Sequence, residues 1–225
     1  MAGRPTRSGA EASSLVDRSV ERNMARRRAT AEDEVRRLVG ACFSLVREKG
    51  SLDPRVGEIV EEAGLSNQAF YRYFHSKDEL LLAVLDEGFG LLAGYLEHRM
   101  ARSRVPERRI KQWLSGLLEQ ALNTQAAAAT RPFVLSRGRL LELFPAELAR
   151  SEERLRGMLE EAIRDGVEQG ALSTPSPGRD AELIYDLAMG WVERKLASGV
   201  KPKRADADHL MAFALRGLGG MKLSG

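Results

Sequence analysis

The sequence has a single cysteine, Cys42, in 225 residues. That excludes an intrachain disulfide and a cysteine-rich zinc module. Its three histidines, His75, His98 and His209, stand far apart and leave little to hold a metal. Aromatic residues make up only 6%, and strand-length alternation of polar and apolar residues is rare, which argues against an all-β protein. No apolar run of about 18 residues is present. The most apolar stretch, Leu80 to Leu96, is broken by Asp86 and Glu87. The first thirty residues carry arginines but no apolar segment of a signal peptide. These absences lead to the expectation of a soluble, cytoplasmic protein with no membrane partner, its lone thiol suited to a reducing compartment. Lys and Arg number 35 against 32 Asp and Glu, a net +3. Charge alone therefore argues weakly for a nucleic-acid partner.

What is present reads as a succession of helices. Residues 1–29 hold seven arginines and three acids among Gly, Ser and Ala, too few apolar side chains to offset ordering, so a basic, disordered tail is expected. Within it, Val16, Val20 and Met24 lie four apart, enough for a marginal amphipathic turn. Thr30 is the expected cap of a first helix whose stripe is Val35, Leu38, Val39, Cys42, Leu45 and Val46, ended by Gly50. Asp53-Pro54 is the expected start of a second helix, Ser66 caps a short third, and Ser76 with Glu79 makes a capping box for a fourth. Later helices are expected over about 106–127, from Thr130-Arg131-Pro132, over 145–169, over 180–197 and over 205–218.

Residues Pro54 to Phe74 have the layout of a helix-turn-helix: helix, Gly-containing turn, second helix. Ser66 holds the amino-terminal end of the second of these, whose free N–H groups and partial positive charge suit a phosphate. Asn67 and Gln68 stand at its start, where amide side chains pair bidentately with adenine. Tyr71 offers a hydroxyl to phosphate, Arg72 suits guanine or phosphate, and Tyr73 offers an edge to backbone or a thymine methyl. Tyr71 and Tyr73 cannot both face one side of a helix. Phe70, Phe74 and Leu65 fit core positions, and His75 a surface one.

The segment Ile59-Val60-Glu61-Glu62-Ala63-Gly64-Leu65-Ser66, followed by Phe70-Tyr71-Arg72-Tyr73-Phe74-His75-Ser76-Lys77-Asp78-Glu79-Leu80-Leu81, resembles the amino-terminal domain of TetR-family transcriptional repressors. That family reads I-A-x-x-A-G-V-S and then Y-x-x-F-x-x-K-x-x-L. Ala41 to Gly50 is similar to its first helix, and the likeness covers about Thr30 to Phe89. Two features depart from the pattern. Pro54 stands where the family has a capping threonine, with Asp53 before it and Arg55 as a replacement phosphate contact. Thr30 to Asp78 carries seven basic against nine acidic residues, so contact with DNA depends on where the charges sit and on the tail. Arg26, Arg27 and Arg28 fit either a minor-groove arm or a solubilising segment.

The resemblance implies an all-α protein: a three-helix helix-turn-helix DNA-binding domain over 30–78, then a helical ligand-binding and dimerisation domain over 79–225. It implies double-stranded DNA, a small-molecule effector and a second copy of the chain as partners. Lys77 corresponds to the family's phosphate-contacting lysine. Apolar aromatics of the middle helices, Phe89, Trp113, Phe133, Phe144 and Tyr185 with Tyr95, are candidates for the pocket, with Gln120, Asn123, Gln125, Arg137 and Arg139 as polar anchors. The final two helices offer Leu183, Leu187, Trp191, Met211, Phe213 and Leu218 among their apolar faces, candidates for a homodimer seam or for intramolecular core.

No catalytic constellation, cofactor motif or metal spacing stands out. Gly88, Gly90 and Gly94 lack both the spacing and the preceding strand of a dinucleotide loop. Cys42, on an apolar stripe, fits an inert buried thiol. Glu152-Glu153 and Glu160-Glu161, set among arginines, fit solvated ion pairs. The competing reading is a helical interaction or scaffold protein that shares only the architecture.

Overall fold

The computed structural model describes residues 14–51 and 53–219, and among these the chain forms nine α-helices and no strand. Helix α1 spans Leu15–Lys49, far longer than the stripe beginning at Val35 requires. Its cap is Ser14, not Thr30. Ser14 Oγ accepts from Val16 N at 3.1 Å, and Asp17 Oδ2 accepts from Ser14 N at 3.1 Å. Thr30 is internal, its hydroxyl donating back to Arg26 O at 3.1 Å. Residues 15–29, expected as disordered tail, are therefore helix. Ala, Arg, Glu and Met are good helix formers, and the segment adds turns to a helix already nucleated by packing. Arg28 and Glu32, four apart, pair across a turn at 2.8 Å. Residues 1–13 of the expected tail lie outside the described residues.

Helix α2 covers Val56–Ala63, α3 covers Asn67–Tyr73 and α4 covers Lys77–Met100. The cap of α2 is Arg55 rather than Asp53. Arg55 N donates to Glu58 Oε2 at 2.8 Å, and Pro54 lies buried just outside the helix. Ser66 and Ser76 cap α3 and α4 as expected, accepting from Ala69 N at 3.1 Å and Glu79 N at 3.2 Å, but the box expected of Ser76 and Glu79 is not closed, because Glu79 Oε2 accepts from His75 N instead of Ser76 N.

Helix α5 runs Pro106–Leu122, and α6 runs Thr124–Leu143. Asn123 separates them, its side chain accepting from Gln125 N and Ala126 N. The expected continuation of α5 to Ala127 is thus cut at Asn123. The short helix expected from Thr130 is the middle of α6, which continues through Pro132. Helices α7 (Pro145–Glu168), α8 (Pro177–Ser198) and α9 (Arg204–Gly217) complete the chain. Among the described residues no helix is long and apolar enough to cross a membrane.

Two apolar cores result. The first gathers Leu38, Cys42 and Val46 of α1, Ile59 and Val60 of α2, Phe70 of α3, Leu80 and Val84 of α4, and Phe133 and Leu140 of α6. The second gathers Leu96, Trp113, Leu117, Leu159, Ile163, Ala188, Trp191 and Leu210 with their neighbours on α4, α5, α7, α8 and α9. Each fully buried leucine or isoleucine contributes about 1.5–3 kcal/mol. Helix α4 enters both cores, so the division expected at residue 78 falls in its first turn. Gly116 permits the close approach of α5 to α4, since a Cβ there would lie 2.4 Å from Leu96 Cδ2. Burial pushes the Cys42 thiol up to about 12, which leaves it protonated near neutrality and a poor nucleophile.

Candidate nucleic-acid interface and ligand cavity

The turn between α2 and α3 is set by Gly64, whose φ of 61° is left-handed. Arg37 of α1 secures it. Its Nε donates to Ala63 O at 3.0 Å and its Nη2 to Gly64 O at 3.0 Å, satisfying carbonyls that α2 leaves free at its end. Glu34, one turn earlier on α1, receives the hydroxyl of Tyr73 at 2.7 Å and Nη1 of Arg72 at 3.2 Å. The Arg72 guanidinium also sits 5.7 Å from the Tyr73 ring centroid. Sequence reasoning counted Glu34 and Arg37 only as charges. Their spacing of three, which places both on one helix edge, is the signal that could have found them.

Helix α3 buries Ala69 and Phe70 and half-buries Tyr73. Asn67, Gln68, Tyr71 and Arg72 remain on the outside, Tyr71 with 62% of its surface exposed. Ser66 spends its hydroxyl on the cap, and Arg55 is exposed. Lys77, half-buried at the start of α4, is paired with Asp53, and this contact holds the Asp53 carboxyl below its ordinary range. His75 N donates to Glu79 Oε2 at 2.7 Å, which lowers the Glu79 carboxyl in turn.

All residues from Ser14 to Thr30 of α1 are exposed. Arg18, Arg22 and Arg26 recur every fourth residue there, as do Val16, Val20 and Met24 on another side. At about 1.5 Å per residue this segment extends roughly 24 Å beyond the part of α1 that holds the helix-turn-helix.

A cavity of about 440 Å³ lies between α4, α5, α6 and α8, with Phe43 of α1 at one end. Phe89 and Phe133 line it, as do Tyr95, Gln120, Asn123 and Arg137. Trp113, Phe144 and Tyr185 do not, a correction to the sequence expectation. Trp113 is fully buried, its Nε1 donating to Leu155 O at 3.0 Å. Tyr185 is buried beside it, ring centroids 6.3 Å apart, and Phe144 packs on the amino-terminal core. Gln125 and Arg139 also lie off the cavity; Arg139 donates to Asp78 Oδ2 at 2.8 Å. Glu119, Thr130 and Glu193 line it without having been expected. Glu152, read as solvated, instead accepts from Arg137 Nη2 at 2.7 Å with its side chain only 19% exposed.

The apolar faces of α8 and α9 divide in two. Trp191 and Leu218 are buried within the chain's own core, and Leu187 and Met211 are half-buried. Leu183 and Phe213 are 66% and 58% exposed. Ser173 N donates to Leu218 O at 3.2 Å, which sets the end of α9 beside the chain leading into α8.

A three-helix unit with an outward second helix, joined to a helical body around a cavity, defines a helix-turn-helix protein with an appended helical domain. Residues 41–84 match the family model of bacterial regulatory proteins of the tetR family. The HTH-type transcriptional regulator BetI of Brucella anthropi is 35% identical over 75 residues, 33% of this chain and 39% of that protein. The match thus spans about two fifths of that relative's length. A TetR transcription regulator from Haloarcula marismortui superposes with a TM-score of 0.67 at 21% identity, covering 84% of this chain and 97% of its own. The regulator FadR from Bacillus subtilis, solved in complex with stearoyl-CoA, superposes with a TM-score of 0.61 at 17% identity, covering 82% and 98%. The amino-terminal likeness is thus to the tetR family over residues 41–84, and the chain as a whole follows the fold of these solved structures.

Proposed function

We propose that the protein is a ligand-responsive transcriptional regulator, a repressor that binds a near-palindromic operator as a homodimer and is released by a small molecule. The observation that carries this reading is the outward face of α3 in a domain that also packs against one wall of the cavity. Asn67 and Gln68 read base edges; Tyr71, Arg72, Arg55 and the Ser66 end of α3 engage phosphates or bases. Tyr73 acts through Glu34, setting the angle of α3. Lys77 reaches a phosphate by exchanging Asp53 for it.

Helix α6 supports the coupling. Phe133 of α6 stacks on Phe43 of α1 with centroids 6.2 Å apart, and both line the cavity. Arg139, further along α6, holds Asp78 at the start of α4. A ligand that displaces α6 therefore shifts both helices that frame the helix-turn-helix. Such coupling is typically worth about 1–3 kcal/mol, or 5–150-fold in operator affinity. That FadR was solved with stearoyl-CoA supports a ligand site in this fold.

A gel shift on the DNA upstream of its own gene tests the reading. A specific complex is expected, and Gln68→Ala changes the preference at one or two base pairs by about 1–3 kcal/mol. Equal weakening on every sequence would remove Gln68 from base reading, and absence of any specific complex would favour the scaffold alternative.

The exposed amino-terminal part of α1 is a second contact in this proposal, its Arg18, Arg22 and Arg26 stripe lying along phosphates. Replacing all three with alanine should reduce the slope of log affinity against log salt by up to about three units per protomer. An unchanged slope would leave this segment without a role in DNA binding.

A further inference from the structure

We infer that the cavity takes an uncharged, largely apolar small molecule with one hydrogen-bond-accepting group, an inference that rests on reading the cavity as the effector site. Its volume of about 440 Å³ suits a small organic molecule. Phe43, Phe89, Tyr95 and Phe133 stand among its walls, and Leu, Val, Ala and Met side chains make up most of the rest.

The three ionic side chains that line it, Glu119, Arg137 and Glu193, are all paired within the chain. Arg204 Nη2 lies 3.0 Å from Glu119 Oε1, and Arg137 Nε lies 3.1 Å from Glu193 Oε1. Arg137 Nη2 also holds Glu152, which is off the cavity, at 2.7 Å. Arg194, the next residue along α8, adds a further positive charge that Glu193 feels. Glu119, Glu152 and Glu193 thus meet Arg137, Arg194 and Arg204, and no charge is left in excess. Arg99 does not line the cavity and is engaged elsewhere, donating to the Tyr95 hydroxyl at 2.6 Å and to Ser115 Oγ at 3.2 Å. A charged ligand of either sign would enter an apolar space without a free counter-charge, or would have to break one of these pairs. An uncharged ligand meets neither cost and gains from the apolar walls.

The junction of α5 and α6 gives the cavity a polar end without a free charge. Asn123 Oδ1 accepts from Gln125 N at 3.0 Å and from Ala126 N at 3.1 Å, and Gln120 Oε1 accepts from the Thr130 hydroxyl at 3.2 Å. Both amide oxygens are therefore committed. What each of these lining side chains has left for a ligand is its amide N–H. Such donors suit a carbonyl, ether or hydroxyl oxygen. Glu119, next to Gln120 in the chain and also lining the cavity, disfavours an anion at this end. Asn123 and Gln120 are on this account the residues that orient the ligand.

Isothermal titration at neutral pH with 2-nonanone, nonanoate and nonylammonium, one chain length in three charge states, tests this. The ketone should bind at least about tenfold more tightly than either ion. Asn123→Asp keeps the cap oxygen of α6 but removes the amide donor, and should weaken the ketone about fivefold; Gln120→Met should act in the same direction. Arg137→Met frees two carboxylates and should raise the nonylammonium-to-ketone affinity ratio about tenfold, whereas Glu193→Gln should raise the nonanoate-to-ketone ratio. A wild type that binds either ion as tightly as the ketone, ketone affinity unchanged in both amide variants, ratios unmoved in both charge variants, or no binding of the ketone overturns the inference. Operator release is read separately by gel shift. Ketone binding that leaves the operator complex intact keeps the ligand class and removes the effector reading instead.

Discussion

A Leu183→Arg/Phe213→Arg double variant should sediment as a monomer and bind operator DNA at least about 100-fold more weakly than the wild type. These two side chains are the large apolar groups that α8 and α9 leave open, 66% and 58% exposed. The end of α9 meets the segment before α8 through Ser173 N and Leu218 O at 3.2 Å. If two copies join through the open sides of α8 and α9, both residues are buried, and a guanidinium placed there meets a desolvation cost of several kcal/mol without a partner. The affinity loss follows from valency. One recognition helix engages a single half-site, whereas two held about 34–36 Å apart engage both, and losing the second engagement costs on the order of 10²–10⁴ in affinity. Trp191, the tempting choice from sequence, tests something else. It is buried in the chain's own core with Lys195 Nζ 5.7 Å from its ring centroid, so a charge there would damage folding. A double variant that sediments as a dimer places the interface on other helices.

The second large effect concerns stability. Trp113→Ala should destabilise the protein by about 3–5 kcal/mol, the range for deleting a buried large aromatic. Trp113 has no exposed surface, and its removal also deprives Leu155 O of its donor at 3.0 Å. For a chain of this size about 2–4 °C is lost per kcal/mol, so the midpoint in a thermal circular-dichroism melt should fall by on the order of 10 °C. Gln68→Ala, on the outer face of α3, serves as the control and should melt with the wild type. A fall of less than about 4 °C for Trp113→Ala would show that the second core repacks around the loss.

Local signals were read well where they act within a few residues. Ser66 and Ser76 cap the helices they were expected to cap, and Gly64 makes the turn that a left-handed residue allows. The amino-terminal end of α1 was as local a signal and was missed. Ser14 and Asp17 form a capping box in plain sight, but a segment without a continuous apolar face was read as unable to hold a helix. That reasoning applies to an isolated helix. Here the segment only extends one that Leu38, Cys42 and Val46 already anchor.

By itself the sequence determined the helical class, the helix-turn-helix layout and the outward placing of Asn67 and Gln68, while only the packing decided that Tyr71 is exposed and Tyr73 half-buried. Periodicity, caps and a turn glycine are properties of neighbouring residues, and they act before any long-range contact forms. Only the tertiary structure decided which partners the remaining groups take. Glu34 lies 39 residues before Tyr73, yet receives its hydroxyl. Arg137 gathers Glu152 from α7 and Glu193 from α8. Trp113 and Tyr185 go to the core, whereas Phe89 and Phe133 go to the cavity. The physical reason is that an apolar or charged residue on a helix face records only that the face is covered or paired. Which helix covers it, and whether the cover is complete, is set by how the helices pack.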